Sequence, residues 1–93
     1  MKLWQPISNG GKFYVQLSGT YTLHEDSRSR PIQYRSIEGA KKASARLNQQ
    51  MRFDALTLIR EAHEAHRCVD HINGDISDVR LSNLRVVTLK ANR

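Results

Sequence analysis

A turn-rich stretch between two apolar runs constrains the fold of this chain more than any other feature. Residues 73–83 are rich in Asn, Gly, Asp and Ser, the residue types that favour turns. Val69 and Ile72 flank a short strand before this stretch, and the β-branched run 84–87 favours a second strand after it. The sequence therefore predicts a hairpin with an eleven-residue loop. Thr88 is a good N-cap, so a helix is expected from about Leu89.

Alternating apolar and polar residues predict three strands nearer the start of the chain. They are expected at about 12–17, 20–24 and 31–35, and Ser18-Gly19 is the expected turn between the first two. The third strand is expected at a sheet edge, because its leading Pro31 cannot donate a backbone hydrogen bond. Together these patterns indicate a small antiparallel sheet.

Helical periodicity predicts two helices between this sheet and the hairpin. Apolar residues recur at helical spacing from a Ser36 N-cap to about Met51, and Asp54 is the predicted cap of a second helix over about 55–66. The predicted fold class is α+β: a three-stranded antiparallel sheet plus a helix, a second helix, and a C-terminal ββα hairpin. Only five residues follow Thr88, so the last helix is expected to be truncated.

Basic charge is concentrated in the first part of the chain. Residues 1–52 contain nine Lys or Arg against three Asp or Glu, whereas residues 53–93 contain six of each, so the first part accounts for the whole net charge of +6. Such asymmetry favours a polyanion-binding part joined to a part with another task. A basic surface that only confers solubility is the alternative. We expect residues 1–52 to bind nucleic acid and residues 69–93 to form the hairpin motif. Residues 53–68 are expected to form a helix that connects these two parts.

Cysteine content and hydropathy exclude several classes of protein. The single cysteine, Cys68, excludes an internal disulfide and a four-cysteine zinc site. His63, His66 and Cys68 lie close to His71, but their spacing matches no standard zinc pattern. No apolar run approaches the ~20 residues of a membrane span, and the start lacks the order of a signal peptide. We expect a cytoplasmic chain with no membrane partner.

The C-terminal segment resembles HNH nucleases of the homing or phage type. The resemblance is carried by Val69-Asp70-His71-Ile72-Asn73-Gly74-Asp75, by Leu81-Ser82-Asn83-Leu84-Arg85-Val86-Val87-Thr88, and by Lys90-Ala91-Asn92. It covers residues 69–93 and implies a ββα-metal fold that hydrolyses phosphodiesters. It also implies a phage or mobile-element origin in a bacterial host cell. The loop departs from the family at Ile76-Ser77-Asp78-Val79-Arg80, where paired Asn residues are more usual.

The resemblance implies a role for each residue that matches the motif. His71 would be the general base, since an imidazole that titrates near neutrality suits that task. Asp70 and Asn92 would be the ligands of Mg²⁺ or another divalent cation, because hard cations prefer oxygen ligands. Asn83 would join the loop backbone across the hairpin and orient His71. Three cations are candidates for phosphate contact: Arg80, Arg85 and Lys90.

The first part of the chain resembles the AP2-like DNA-binding modules found beside phage and mobile-element HNH nucleases. The resemblance covers about residues 10–52 and depends on element order, on Gly-Lys-Phe-Tyr-Val and on Ser-Ile-Glu-Gly-Ala-Lys-Lys-Ala. It implies that the polar face of the sheet, with Thr22 and His24 among its residues, lies in a DNA groove. A solvated sheet face is the alternative. The predicted nucleic-acid contacts in this part are Lys12, Tyr14, Gln16, Arg28, Arg30, Arg35, Lys41, Lys42 and Arg46.

Two functions of different classes follow from these patterns. The first is a small metal-dependent endonuclease that nicks double-stranded DNA as a monomer and cuts both strands only as a dimer or in sequential events. The second is a non-catalytic binding protein or inhibitor on the same scaffold, bound to DNA or to a nucleoprotein complex, anti-CRISPR proteins being one such class. Metal dependence separates the two, because a binder acts with or without Mg²⁺.

Overall fold

The computed structural model of the protein describes residues 1–88, which form an α+β structure with one helix and two separate two-stranded sheets. The strands are β1 (Trp4–Asn9), β2 (Lys12–Leu17), β3 (Arg67–His71) and β4 (Leu84–Thr88), and the helix is α1 (Ile37–Glu64). The chain divides into an N-terminal unit, Lys2–Gln49, and a C-terminal unit, Met1 with Gln50–Arg93. Within residues 1–88, no helix is long and apolar enough to cross a membrane.

The N-terminal unit is built on the β1–β2 hairpin. Gly10 and Gly11 connect the strands with positive φ values of 60° and 78°, as a type I′ turn requires. The register places Trp4 opposite Leu17 and the fully buried Val15 opposite Pro6. Pro6 is tolerated because β1 has a neighbour on one side only.

The predicted three-stranded sheet is wrong. Strand β1 was not predicted, and residues 20–35 form only isolated bridges, such as Gln16 with Leu23 and Phe13 with Tyr34. The physical reason is local. The Thr20 hydroxyl donates to the Leu17 carbonyl at 2.8 Å and accepts from the Thr22 amide at 3.0 Å, which forms a turn where the second strand was expected. The three-stranded arrangement of AP2-like modules is therefore not present in the described residues.

The prediction of two helices is also wrong, because α1 is continuous over 28 residues. It begins where predicted: the Gly39 amide donates to the Ser36 hydroxyl at 3.2 Å. Asp54 does not cap a second helix. Its carboxylate accepts a hydrogen bond from Gln50 at 2.8 Å, one helical turn earlier. No Gly or Pro lies between Ala40 and Glu64, so nothing in the sequence interrupts the helix.

The first half of α1 packs on the N-terminal sheet. Val15, Ala40 and Ala43 form the buried cluster, and Trp4 and Leu47 pack against it. Asn48 also joins the helix to β1, because its side chain accepts from the Trp4 amide at 2.6 Å and donates to the Trp4 carbonyl at 2.9 Å. This part of the helix presents its opposite side, with Lys41, Lys42 and Arg46, to solvent.

The C-terminal unit contains the predicted hairpin. Strand β3 pairs antiparallel with β4, and the register places Asp70 opposite Arg85 and His71 opposite Leu84. A 3₁₀ turn, Leu81–Asn83, leads into β4. The predicted ββα arrangement is not matched, since the described segment is a hairpin alone. The predicted last helix, with Lys90 and Asn92, lies outside the described residues.

Candidate functional site

Asn83 joins the two ends of the hairpin loop. It is 6% exposed, and its Oδ1 atom accepts from the Asn73 amide at 3.0 Å. Its Nδ2 atom donates to the Asn73 side-chain oxygen at 3.0 Å and to the Asp78 carbonyl at 2.9 Å. The Ile72 amide also donates to the Asn83 carbonyl at 2.8 Å. Both amides that follow His71 are therefore fixed by one residue.

Asp78 occupies the interior of the same loop and is 1% exposed. Arg80 donates to it through Nε at 2.9 Å and Nη2 at 2.8 Å, and Asn73 donates through Nδ2 at 3.2 Å. The hydrogen bonds from Arg80 lower the pKa of the Asp78 carboxyl, and they outweigh the opposing effect of burial. The hydrogen bonds to Asp78 in turn raise the pKa of Arg80. This ion pair is internal to the loop, although the sequence had suggested that Arg80 contacts phosphate.

His71, the predicted base, lies at the end of β3 beside this loop. Its carbonyl accepts from the Gly74 amide at 2.9 Å, and its side chain is half-buried. The residue lines a cavity of about 300 Å³ whose other walls include Ile59, Val69 and Leu84. His71 thus lines a largely apolar recess in the C-terminal unit.

Asp70, the predicted metal ligand, precedes His71 near the end of β3 and is not among the residues that line the cavity beside His71. Its carboxylate forms an ion pair across the hairpin. Arg85 donates to Oδ2 through Nε at 3.0 Å and Nη2 at 2.8 Å. Arg85 is therefore also engaged within the protein.

The side chains of the described residues could supply only a few of the ligands of a cation and not its whole coordination shell. No group of three or more His, Cys, Asp or Glu side chains in residues 1–88 is arranged to hold a metal ion. Asp70 supplies one carboxylate, 34% exposed, and its Oδ1 atom accepts no hydrogen bond from residues 1–88. Mg²⁺ typically takes one or two protein oxygens and completes its shell with water and phosphate. One carboxylate meets that requirement if it separates from Arg85.

The predicted nucleic-acid contacts in the N-terminal unit are mostly exposed. Lys12 lies on β2, and its neighbours Tyr14 and Gln16 on the same face are half-buried. Arg30 is partly engaged, with Nε 3.5 Å from the Asp26 carboxylate. Lys90 lies outside the described residues. The contacts that are exposed to solvent are Lys12, Arg28, Arg30, Arg35, Lys41, Lys42 and Arg46.

His24 does not lie on a polar, groove-facing surface, where the sequence had placed it. Its ring meets Trp4 edge-on at 5.6 Å, and its buried Nδ1 atom has no hydrogen-bond partner among residues 1–88. Burial, and secondarily the charge of Arg46, lower the pKa of His24. The residue is part of the packing of the N-terminal unit.

The sequence had offered Asn73 and Asp78 no role in the site. Asn73 was interpreted only as part of a turn, and Asp78 as part of a loop that departs from the family. The available signal was an acid two residues before an arginine in a loop rich in Asn, Asp and Ser. Such a loop is stabilised by its own polar groups, which must be paired when buried.

A comparison with protein families supports the assignment of the C-terminal segment. The family model described as HNH endonuclease matches residues 65–93. The match supports an HNH-family domain there and suggests a nuclease-type function, which implies binding of nucleic acid. Comparisons with curated proteins and with solved structures give no match.

Proposed function

We propose that this protein is a small metal-dependent DNA endonuclease that nicks one strand of the duplex. The observation that supports this most is the coincidence of two independent features. The segment that matches HNH endonucleases, 65–93, contains the hairpin in which Asn83 fixes the backbone directly after His71. A base held on a rigid element is what hydrolysis of a phosphodiester requires.

His71 is the proposed general base. A water attacks phosphorus, its proton moves to the imidazole, and the bond from phosphorus to one ester oxygen breaks. Asp70 and Asn92 are the proposed ligands of Mg²⁺ or another divalent cation. When bound, such a cation neutralises charge that develops on the phosphate and on the leaving oxygen. Asn83 orients His71 and contacts no substrate.

The N-terminal unit is the proposed grip on DNA. Its exposed cations include Lys41, Lys42 and Arg46 on α1, and contacts of this kind give affinity without sequence readout. We propose Arg85 and Lys90 as further phosphate contacts near the site, with Arg85 available once it leaves Asp70. One site per chain fits nicking by a monomer, and double-strand cleavage then requires a dimer or two events.

Cleavage of supercoiled plasmid tests this function. Wild type is incubated with Mg²⁺ or Mn²⁺, beside His71→Ala and an EDTA control. We expect nicked circles that form only with the cation and that disappear in His71→Ala. His66→Asn is the matched control, because it removes an exposed imidazole that does not line the cavity beside His71. Asn is chosen because it tolerates the positive φ of 56° at this position.

The alternative function is a binding protein or inhibitor that occupies DNA or a nucleoprotein complex without cutting it. The observation that favours it is the ion pair of Asp70 with Arg85, which engages the one carboxylate proposed as a metal ligand. Intact plasmid that shifts in a gel equally with and without the cation would select this function. A shift that needs the cation would favour the nuclease even at low turnover.

A further inference from the structure

Asp78 is the only charged side chain that is buried in the described residues. A buried carboxylate is costly unless its charge and its lone pairs are both satisfied. Here both oxygens are engaged. Oδ1 accepts from Nε and the backbone amide of Arg80, and Oδ2 accepts from Nη2 of Arg80 and from Asn73. The loop therefore contains a completed polar network with Asp78 at its centre.

Arg80 is committed to this network. Its side chain is 28% exposed, and the two guanidinium bonds to Asp78 have lengths of 2.9 and 2.8 Å. Arginine used for phosphate recognition presents the same planar fork to the ligand. In this protein the guanidinium edge formed by Nε and Nη2 is presented to Asp78, so that edge is not available to a phosphate while the pair is formed.

The network leads by short steps to the backbone of His71. Asp78 accepts from the Asn73 side chain, whose oxygen in turn accepts from Asn83. The backbone carbonyl of Asn83 accepts from the Ile72 amide, and its Oδ1 atom accepts from the Asn73 amide. These are the first two backbone amides after His71. Asp78 is itself held in place by Arg80, and loss of its carboxylate would leave the side chain of Asn73 with one hydrogen bond from Asn83 and one from the Asp75 amide.

We propose that Asp78 and Arg80 are positioning residues: their ion pair orients His71 through Asn73 and Asn83, and Arg80 does not bind nucleic-acid phosphate. This inference depends on the proposed function, because the orientation of His71 matters for turnover only if it acts on a phosphodiester. The two roles of Arg80 differ in what they change. A phosphate contact sets affinity and its salt dependence, whereas a positioning residue sets the rate of the chemical step.

The test compares Arg80→Gln and Asp78→Asn with Lys42→Gln, a cation removed from the proposed DNA grip. Nicking is measured at saturating and limiting DNA, and binding is measured against salt concentration. We expect both loop variants to lower kcat by about ten-fold or more, with about a hundred-fold as the upper range for a misplaced group. Their KM and the salt slope of binding stay at the wild-type values. Lys42→Gln instead weakens binding and lowers the slope by about 0.9.

The double variant Asp78→Asn/Arg80→Gln adds a second criterion. Because the two residues act as one pair, we expect its kcat to equal that of the worse single variant and not the product of the two losses. Arg80→Lys keeps the charge but not the fork, so it should restore only part of the rate. If Asp78→Asn does not fold, the two Arg80 variants decide the question.

Hydrogen exchange of the Asn73 amide, measured without DNA, gives a readout that is independent of activity. We expect faster exchange in Arg80→Gln and Asp78→Asn than in wild type. If wild type never nicks but the exchange rates rise, the proposed function fails while the link from Asp78 to the backbone after His71 stands. If wild type nicks and Arg80→Gln lowers the salt slope by about one with kcat unchanged, Arg80 is a phosphate contact and the inference is overturned. Unchanged exchange in both variants overturns it as well.

Discussion

Asp70 and Arg85 lie directly opposite each other on β3 and β4, and both guanidinium bonds of Arg85 go to a single carboxylate oxygen. The pair is open to solvent, with side-chain exposures of 34% for Asp70 and 60% for Arg85. A pair of this kind contributes about 0.2–1 kcal/mol. It is weak enough for a cation at Asp70 to displace Arg85.

The first prediction concerns this competition. Arg85→Gln removes the internal competitor for Asp70, so we expect Mn²⁺ to bind about two- to five-fold more tightly than to wild type, the range that an exposed ion pair supports. Titration of free Mn²⁺ by electron paramagnetic resonance measures the affinity. Arg60→Gln, an exposed cation of α1, is the control and should bind Mn²⁺ as wild type does. Equal or weaker binding by Arg85→Gln would show that Arg85 does not compete for this carboxylate.

The second prediction concerns the stability of the loop. Asn83→Ala removes three side-chain hydrogen bonds from a residue that is 6% exposed. At about 1 kcal/mol for each bond, we expect the free energy of unfolding to fall by about 2–4 kcal/mol. Urea denaturation followed by circular dichroism measures the change. Ser82→Ala, at the exposed neighbour, should change it by less than about 0.5 kcal/mol. Similar values for the two variants would contradict a supporting role of Asn83.

The third prediction concerns the grip on DNA. Lys41→Gln/Lys42→Gln removes two exposed cations near the start of α1. If each contacts a phosphate, the slope of log K against log salt should become shallower by about 2, at about 0.9 for each contact. Fluorescence anisotropy of a labelled duplex at several salt concentrations gives the slope. Arg60→Gln removes a cation from the same helix outside the N-terminal unit and should leave the slope as it is. An unchanged slope in the double variant would place the DNA elsewhere.

The fourth prediction concerns His24 and pH. The pKa of His24 is lowered in the folded protein, so the unfolded chain takes up a proton at higher pH than the native state does. The stability that depends on neutral His24 is therefore complete above its ordinary pKa of 6.5 and is lost as pH falls from that value toward the folded pKa. Thermal unfolding followed by the fluorescence of Trp4, the single tryptophan, should show a lower Tm at pH 5 than at pH 7.5.

His24→Phe should reduce this difference, because it keeps an aromatic ring against Trp4 and removes the titratable imidazole. His63→Gln, an exposed imidazole on α1, should keep the wild-type difference. If His24→Phe loses as much Tm between the two pH values as wild type does, another group causes the dependence.

Local patterns in the sequence predicted the hairpin and the start of the helix, and contacts between distant residues account for what was missed. The N-cap at Ser36 and the β-branched strand at 84–87 can each be predicted from a few neighbouring residues. Asp54 gives a cap signal too, but Gln50 engages it inside an uninterrupted helix. Strand β1 was missed because Pro6 disfavours a strand until an edge position is known, and that position depends on pairing with β2.

For the candidate site, the sequence predicted which residues take part but not the contacts of their side chains. Asp70 and His71 are neighbours in the motif, but the sequence does not show that the Asp70 carboxylate accepts from Arg85. Arg80 and Arg85 were both expected to contact phosphate. Each has a carboxylate partner, and for Arg85 that partner is fifteen residues away in sequence. A search for short-range charge pairs would have identified Asp78 with Arg80, whereas Asp70 with Arg85 requires the strand register.

The network around Asp78 has a consequence for engineering. Each hydrogen bond described for Asn73, Asp78, Arg80 and Asn83 joins residues between 71 and 83. A single substitution at any of these four positions leaves a partner unpaired, so libraries that randomise them one at a time should return few folded variants. The segment 71–83 is better treated as a cassette, to be transplanted whole between hairpins of the same register or exchanged with all four side chains together.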